Sequence, residues 1–265
     1  MEVLFGVHPV TEAVRSRARD VDHVTLQAGG NPRLAALADL CRANRVRVTQ
    51  GSRDELSRMT KTEQHGGVVA FLKERKLLAL EDLFTRQNGA AHMLLALDGV
   101  EDPHNLGALL RSADGAGATG VVLPERRAVG VTGTVAKAAA GATEHVRIAQ
   151  VTNLVRSLEA LKKENVWIVG LDERGTQDYT DFDFRGDFCL VLGREGAGLH
   201  DLSRKTCDFL LRIPMAGAVP SLNVSVAGAV VLYEAARQRR VAARPAVAGN
   251  EVAAKASKPR KGLGS

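Results

Sequence analysis

Ile213-Pro214-Met215-Ala216-Gly217-Ala218-Val219-Pro220-Ser221-Leu222-Asn223-Val224-Ser225-Val226-Ala227 turns a short apolar run into a loop marked by glycine and proline, and then into a long apolar helical pattern. A strand, a tight loop and a helix start in that order bring backbone N–H and C=O groups and a helix N-terminus to a small polar ligand. Ser221, Asn223 and Ser225 alternate with Leu222, Val224 and Val226. Taken alone, the pattern equally describes a helix N-cap set between core residues.

Working outward, the chain from His92 onward alternates strand and helix patterns, the mark of a parallel sheet covered on both faces. Strands are expected at Met93 to Leu97, Gly120 to Leu123, Val166 to Leu171, Phe188 to Leu192 and Leu210 to Ile213. Helices are expected near 105–117, 132–141, 152–164, 199–205 and 223–238. In such sheets ligands sit beyond the carboxyl ends of the strands, which is where two further unusual loops lie.

One is Val191-Leu192-Gly193-Arg194-Glu195-Gly196-Ala197-Gly198-Leu199. Three glycines around one carboxylate let the backbone pass close to a ligand and aim Glu195 into a site. The alternative is an ordinary turn with Glu195 at the positive end of the next helix. A phosphate-binding P-loop is excluded, because the Gly-Lys-Ser/Thr ending is absent. The other loop is Leu97-Asp98-Gly99-Val100-Glu101-Asp102-Pro103-His104-Asn105-Leu106-Gly107, which runs into a helix. Leu106, Leu109, Leu110 and Ala113 share one helical face, whereas Arg111 points away from it and is available to solvent or a site. Asn105 alone reads as a helix cap, and His104, with no identifiable carboxylate or nucleophile partner, as a loop residue. Gly115-Ala116-Gly117-Ala118-Thr119-Gly120 matches the dinucleotide-binding pattern, yet it follows a helix and precedes a strand, the reverse of the required order. It is a helix stop, and a nucleotide-binding dehydrogenase is disfavoured.

Residues 1–72 form a compact α/β unit in this reading, with a helix after Pro9, a strand at Val21 to Gln27 and a helix capped by Asn31. Strands follow at Arg45 to Thr49 and Gly67 to Leu72. The unit is rich in arginine (Arg15, Arg17, Arg19, Arg42, Arg45, Arg47, Arg53 and Arg58), a side chain suited to bidentate phosphate contact. Residues 73–91 read as a linker and 92–240 as a second domain. Net charge is +6, but five basic residues against one acid lie in 241–265, a tail of Ala, Pro, Gly and Lys expected to be disordered. Charge alone therefore gives only weak support to an RNA partner.

At 265 residues and 45% hydrophobic content the chain can bury a sizeable core. An aromatic share of 4% does not suggest a stacking platform for single strands. The first residues lack a basic region followed by an apolar run, and no stretch is long enough to cross a bilayer, so a cytoplasmic, soluble protein is expected. Cys41, Cys189 and Cys207 are odd in number and far apart, arguing for buried thiols against disulfides or a metal site.

Three separated patterns, Asn105-x-Gly107-x-x-x-Arg111, Gly193-x-Glu195-Gly196-x-Gly198, and Ile213-Pro214-Met215 followed by Ser221-Leu222-Asn223-Val224-Ser225-Val226-Ala227, resemble the signature motifs of the SpoU (TrmH) family of RNA ribose 2′-O-methyltransferases. Gly6-x-His8-Pro9-Val10 and Gln64-His65-Gly66-Gly67-Val68-Val69-Ala70 are similar to that family's substrate-binding domain of ribosomal-protein-L30-like fold. Leu97 to Ala108 and Val151-Thr152-Asn153-Leu154 resemble the branch that modifies guanosine in 23S ribosomal RNA. The resemblance spans roughly residues 3–240.

The resemblance implies S-adenosylmethionine as methyl donor, an α/β domain whose mostly parallel sheet carries a deep trefoil knot, and a homodimer without metal or membrane contact. It places Gly193, Ile213 and Leu222, with Leu192, Met215 and Val224 beside them, around the cofactor. It places Asn105, Arg111, Glu195 and Asn223 in the active site. Pro220 departs from the small or polar residue common in relatives and stiffens Val219. The family's arginine, here Arg111, has been proposed as general base, but a guanidinium stays protonated in proteins. A phosphate clamp that also stabilises developing negative charge suits it better, and the base stays open. A transfer RNA substrate and a non-catalytic RNA-binding protein are the competing readings.

Overall fold

The computed structural model describes residues 1–29, 31–86, 89–126 and 129–243. Elements are β1 (Glu2–Phe5), α1 (Val7–Arg17), β2 (Val21–Gln27), α2 (Pro32–Ala43), β3 (Arg47–Gly51), α3 (Arg53–Thr60) and β4 (Val68–Leu72), then β5 (Met93–Leu97), α4 (Pro103–Ala116), β6 (Gly120–Pro124), α5 (Gly133–Ala138), β7 (Ile148–Val151), α6 (Leu154–Lys163), β8 (Trp167–Leu171), β9 (Gln177–Asp178), β10 (Phe188–Leu192), α7 (Asp201–Thr206), β11 (Phe209–Arg212) and α8 (Val224–Ala242).

The first four strands form a sheet in the order β1-β4-β2-β3. The remaining seven form a second sheet, β7-β6-β5-β10-β8-β11-β9, in which every pairing is parallel. Side-chain alternation divides each central strand between two cores. Met93, Leu95 and Leu97 pack with Phe188, Leu190 and Leu192 on one face, under α4 and α8. Leu94 and Ala96 pack with Cys189 and Val191 on the other, under α6. Strands buried on both faces read as unbroken apolar runs, as Met93–Leu97 and Phe188–Leu192 do.

Most expected elements lie within one to three residues of their sequence positions. Four were not anticipated: β1, α3, β7 and β9. α1 begins at Val7, so Pro9 sits inside its first turn rather than before it. α8 runs to Ala242, so the first residues of the expected tail, Val241 and Ala242, are helical. Ala243 caps that helix, and 244–265 lies outside the described residues. Gly117 caps α4 in the left-handed region, the helix stop expected there. Of the expected linker, Leu78 pairs with Ala149 beside β7, and Leu80 and Leu83 are buried against the larger sheet.

His65, in the glycine turn before β4, is buried and accepts a hydrogen bond from the Gly67 N–H on Nδ1 at 3.1 Å. Its proton therefore sits on Nε2, facing the Ser57 hydroxyl at 3.2 Å. Burial holds this imidazole below the usual histidine range. Burial also pushes up the thiols of Cys189 and Cys207, the latter to about 12, so both are inert. No helix among the described residues is long and apolar enough to cross a membrane.

Glu144 joins distant segments. Its side chain is 1% exposed and receives Arg17 Nε at 2.8 Å and the Arg75 guanidinium, while Arg17 also reaches Glu2 at 2.8 Å. Removing one member of a buried ion cluster leaves the others uncompensated. Glu144→Ala is therefore expected to cost about 3 kcal/mol or more of unfolding free energy. Denaturant unfolding measures this, and an unchanged midpoint would show the cluster to be energetically idle.

Candidate active site

Three loops meet at the carboxyl ends of β5, β10 and β11. At α4, Asp102 is the N-cap, accepting from the His104 N–H at 3.0 Å, with Pro103 at the first helical position. This corrects the capping role read for Asn105. Relieved of capping, Asn105 lies buried in the first turn, and its amide donates to Glu195 Oε2 at 3.1 Å. After β10, Arg194 and Gly198 exchange two backbone hydrogen bonds of 3.0 and 2.9 Å. The closed turn holds Glu195 at its tip, with Gly196 and Gly198 at φ 72° and 67°, a region costly for other residues.

Asn223 does cap α8. Its Oδ1 accepts from Ser225 N–H at 2.9 Å and from the Ser225 hydroxyl at 2.6 Å. That fixes the orientation of its amide, whose Nδ2 donates to Glu195 Oε1 at 2.9 Å and to Asn105 Oδ1 at 3.0 Å. Each member of the Asn105–Glu195–Asn223 group thus bonds both others. Arg111 is not joined to them: it is exposed on α4, six residues and about 9 Å of helix rise beyond Asn105. Among the described residues it has no hydrogen-bond or ion-pair partner. A guanidinium so placed is available to an external anion.

Beside the group is an open cleft of about 830 Å³, its mouth included. All six positions expected around a cofactor line it: Leu192, Gly193, Ile213, Met215, Leu222 and Val224. Gly193 packs so tightly that an added Cβ would lie 2.2 Å from the carbonyl carbon of Gly198. The turn that presents Glu195 therefore rests on the backbone that floors the cleft. Pro220 and Ser221 also line it.

Sequence reading missed two groups here. Asp98 is buried and accepts from the N–H of His200 at 2.8 Å and from His200 Nδ1 at 2.9 Å, tying the end of β5 to the start of α7. Asp172, directly after β8, lines the cleft and is 5% exposed. Its position at the carboxyl end of a parallel strand was the available signal. No group of three or more potential metal ligands occurs among the described residues.

The seven-stranded parallel sheet and its loop cleft define an α/β domain that binds its ligand at the carboxyl ends of the strands. The fold is similar to that of the SpoU methyltransferase AviRb from Streptomyces viridochromogenes in complex with AdoMet, with a TM-score of 0.76, 27% identity and 90% of each chain covered. It is also similar to an AdoMet-bound rRNA methyltransferase from Sinorhizobium meliloti, with a TM-score of 0.71, 26% identity and 89% of this chain and 87% of that one covered. The SpoU rRNA Methylase family model matches residues 92–233, and the model for RNA 2′-O ribose methyltransferase substrate binding matches residues 3–78. The chain belongs to the SpoU rRNA methylase family. Among its relatives is the 23S rRNA (guanosine-2′-O-)-methyltransferase RlmB of Ralstonia nicotianae, 45% identical over 91% of this chain and 97% of the relative. The enzyme of the same name from Pseudomonas putida is 42% identical over 91% and 98%.

Proposed function

We propose that this chain is an S-adenosylmethionine-dependent RNA methyltransferase that modifies the ribose 2′-oxygen of a guanosine in 23S ribosomal RNA. The observation that carries the reading is the closed Asn105–Glu195–Asn223 group beside a cleft lined by all six expected cofactor positions. The relatives named for this reaction match the chain over more than nine-tenths of its length.

The cleft suits the cofactor chemically. Leu192, Ile213, Leu222 and Val224 offer apolar walls to a purine, and Gly193 allows backbone approach. When bound, the cofactor supplies a methyl group already activated on a sulfonium, which needs no metal. The residues of the chain then have to position and desolvate the ribose hydroxyl, a contribution of roughly 7–11 kcal/mol in well-oriented systems. Glu195 takes one amide N–H on each oxygen and keeps lone pairs to spare. It is placed as acceptor for the proton of the ribose hydroxyl, and Asn105 and Asn223 hold it still. Arg111 clamps the phosphate of the target nucleotide.

In this reading 1–72 is an L30-like RNA-binding domain, 73–91 a connector, 92–240 the catalytic domain and 241–265 an accessory basic tail. A deep trefoil knot in the catalytic domain is supported by the strand order, with β10 inserted between β5 and β8, and by the return of α8 against Leu109 and Leu192 at Gly228. A homodimer is supported by Val226, Tyr233 and Val241, exposed along α8. The protein works in the cytoplasm, where ribosomal RNA is modified.

The test is methyl transfer from labelled S-adenosylmethionine to protein-free 23S RNA and to transfer RNA, with mapping of the modified ribose. Label on one 23S guanosine 2′-oxygen is expected. Label on transfer RNA alone would keep the chemistry and overturn the substrate.

A further inference from the structure

Asp172 carries an unexplained oxygen. The side chain is 1% exposed, and its Oδ1 accepts from the Arg174 N–H at 2.9 Å and from Arg174 Nε at 3.2 Å. Oδ2 is buried and has no hydrogen-bond partner. Buried carboxylate oxygens are costly to leave unpaired, so one of this kind inside a ligand cleft marks a place for a donor. The cleft is the one proposed to hold S-adenosylmethionine, and the inference rests on that reading. The opposite wall is the Glu195 turn: a Cβ built on Gly198 would stand 3.4 Å from Oδ2, in ordinary contact.

We infer that Asp172 is a cofactor-binding residue whose Oδ2 accepts a hydrogen bond from a neutral donor of the adenosine half of the cofactor, a ribose hydroxyl or the exocyclic amine. The Arg174 guanidinium already sits on the other oxygen. Its positive charge offsets the carboxylate and makes the site better suited to a neutral donor than to the ammonium of the amino-acid portion. The backbone N–H of Asp172 bonds to the Leu211 carbonyl at 3.0 Å, so the acceptor is fixed between β8 and β11 before any ligand arrives. Such preorganisation lowers the cost of binding.

Asp172→Asn isolates this role. Arg174 still requires an acceptor at the Oδ1 position, which obliges the new amide to place its NH2 where Oδ2 was. An acceptor becomes a donor at constant shape. Calorimetric titration of the full chain should show S-adenosylhomocysteine and 5′-methylthioadenosine, which lacks the amino-acid portion, both weakened tenfold or more by D172N. The melting temperature without ligand should change little, since both Arg174 contacts on Oδ1 are kept and the oxygen that is replaced has no partner. Methylthioinosine sorts the two donors: a retained penalty assigns the ribose, and a lost one the amine. Equal affinity of D172N and wild type would overturn the assignment alone, as would a loss confined to S-adenosylhomocysteine. Failure of the wild-type protein to bind either adenosine compound would overturn the cofactor reading itself.

Discussion

Replacing Arg111 with lysine is expected to lower the single-turnover rate of methyl transfer about a hundredfold, the scale of losing one preorganised transition-state contact, while S-adenosylhomocysteine affinity stays within twofold. Arg111 stands on the exposed face of α4, is not among the residues lining the cleft, and has no protein partner among the described residues. Cofactor binding should therefore be indifferent to it. The phosphate clamp should not be. A guanidinium grips two oxygens in a plane through its fork, whereas an ammonium is a point charge on a flexible stem. Lysine keeps the charge, so RNA affinity should fall only modestly and the loss should appear in the rate. Near-normal turnover by Arg111→Lys would remove the fork from the mechanism and leave charge alone as the contribution.

The second large effect belongs to Gly193→Ala. The new Cβ would lie 2.2 and 2.3 Å from the carbonyl carbon and oxygen of Gly198 and 2.4 Å from the Leu199 nitrogen. All three are backbone atoms of the segment that closes the Glu195 turn, so no side chain can swing aside. The turn must shift, and with it the acceptor for the Asn105 and Asn223 amides and a wall of the cleft. Overpacking of this kind costs about 3 kcal/mol, equivalent to a fall of roughly 6 to 12 °C in Tm for a chain of this size. Cofactor affinity should fall more than a hundredfold. Thermal melting and titration with S-adenosylhomocysteine measure the two effects together. A variant that melts and binds like wild type would mean that the turn is not braced on the floor of the cleft.

Much of the catalytic half was legible because its signals are local. Met93–Leu97 and Phe188–Leu192 are unbroken apolar runs, and the glycines of 193–198 and the helix stop at Gly117 announce backbone shapes within a few residues. Where the local signal was short or polar, reading failed. β1 has four residues, two of them only half buried, and β7 is an edge strand of four. α3 buries only Leu56, although its capping box, Ser52 with Glu55, was written in the sequence. Asn105 was misread for a subtler reason. Asp102 and Asn105 both suit a cap, and Pro103 at the first helical position favours Asp102.

The sequence by itself determined the alternating strand and helix order, the loops that carry polar residues, and the family, since each depends on periodicity or on motifs a few residues long. Periodicity and local spacing do not say which loops meet, and the tertiary structure decided the contacts between them. Asn105 reaches Glu195 across 90 positions and Asn223 across 118, and only the insertion of β10 between β5 and β8 makes those contacts possible. It decided equally that Arg111 stands apart from the residues it accompanies in the motif, and that one oxygen of Asp172 is left without a partner in the cleft. Contacts and desolvation are properties of segments brought together from afar, so no stretch of chain could announce them.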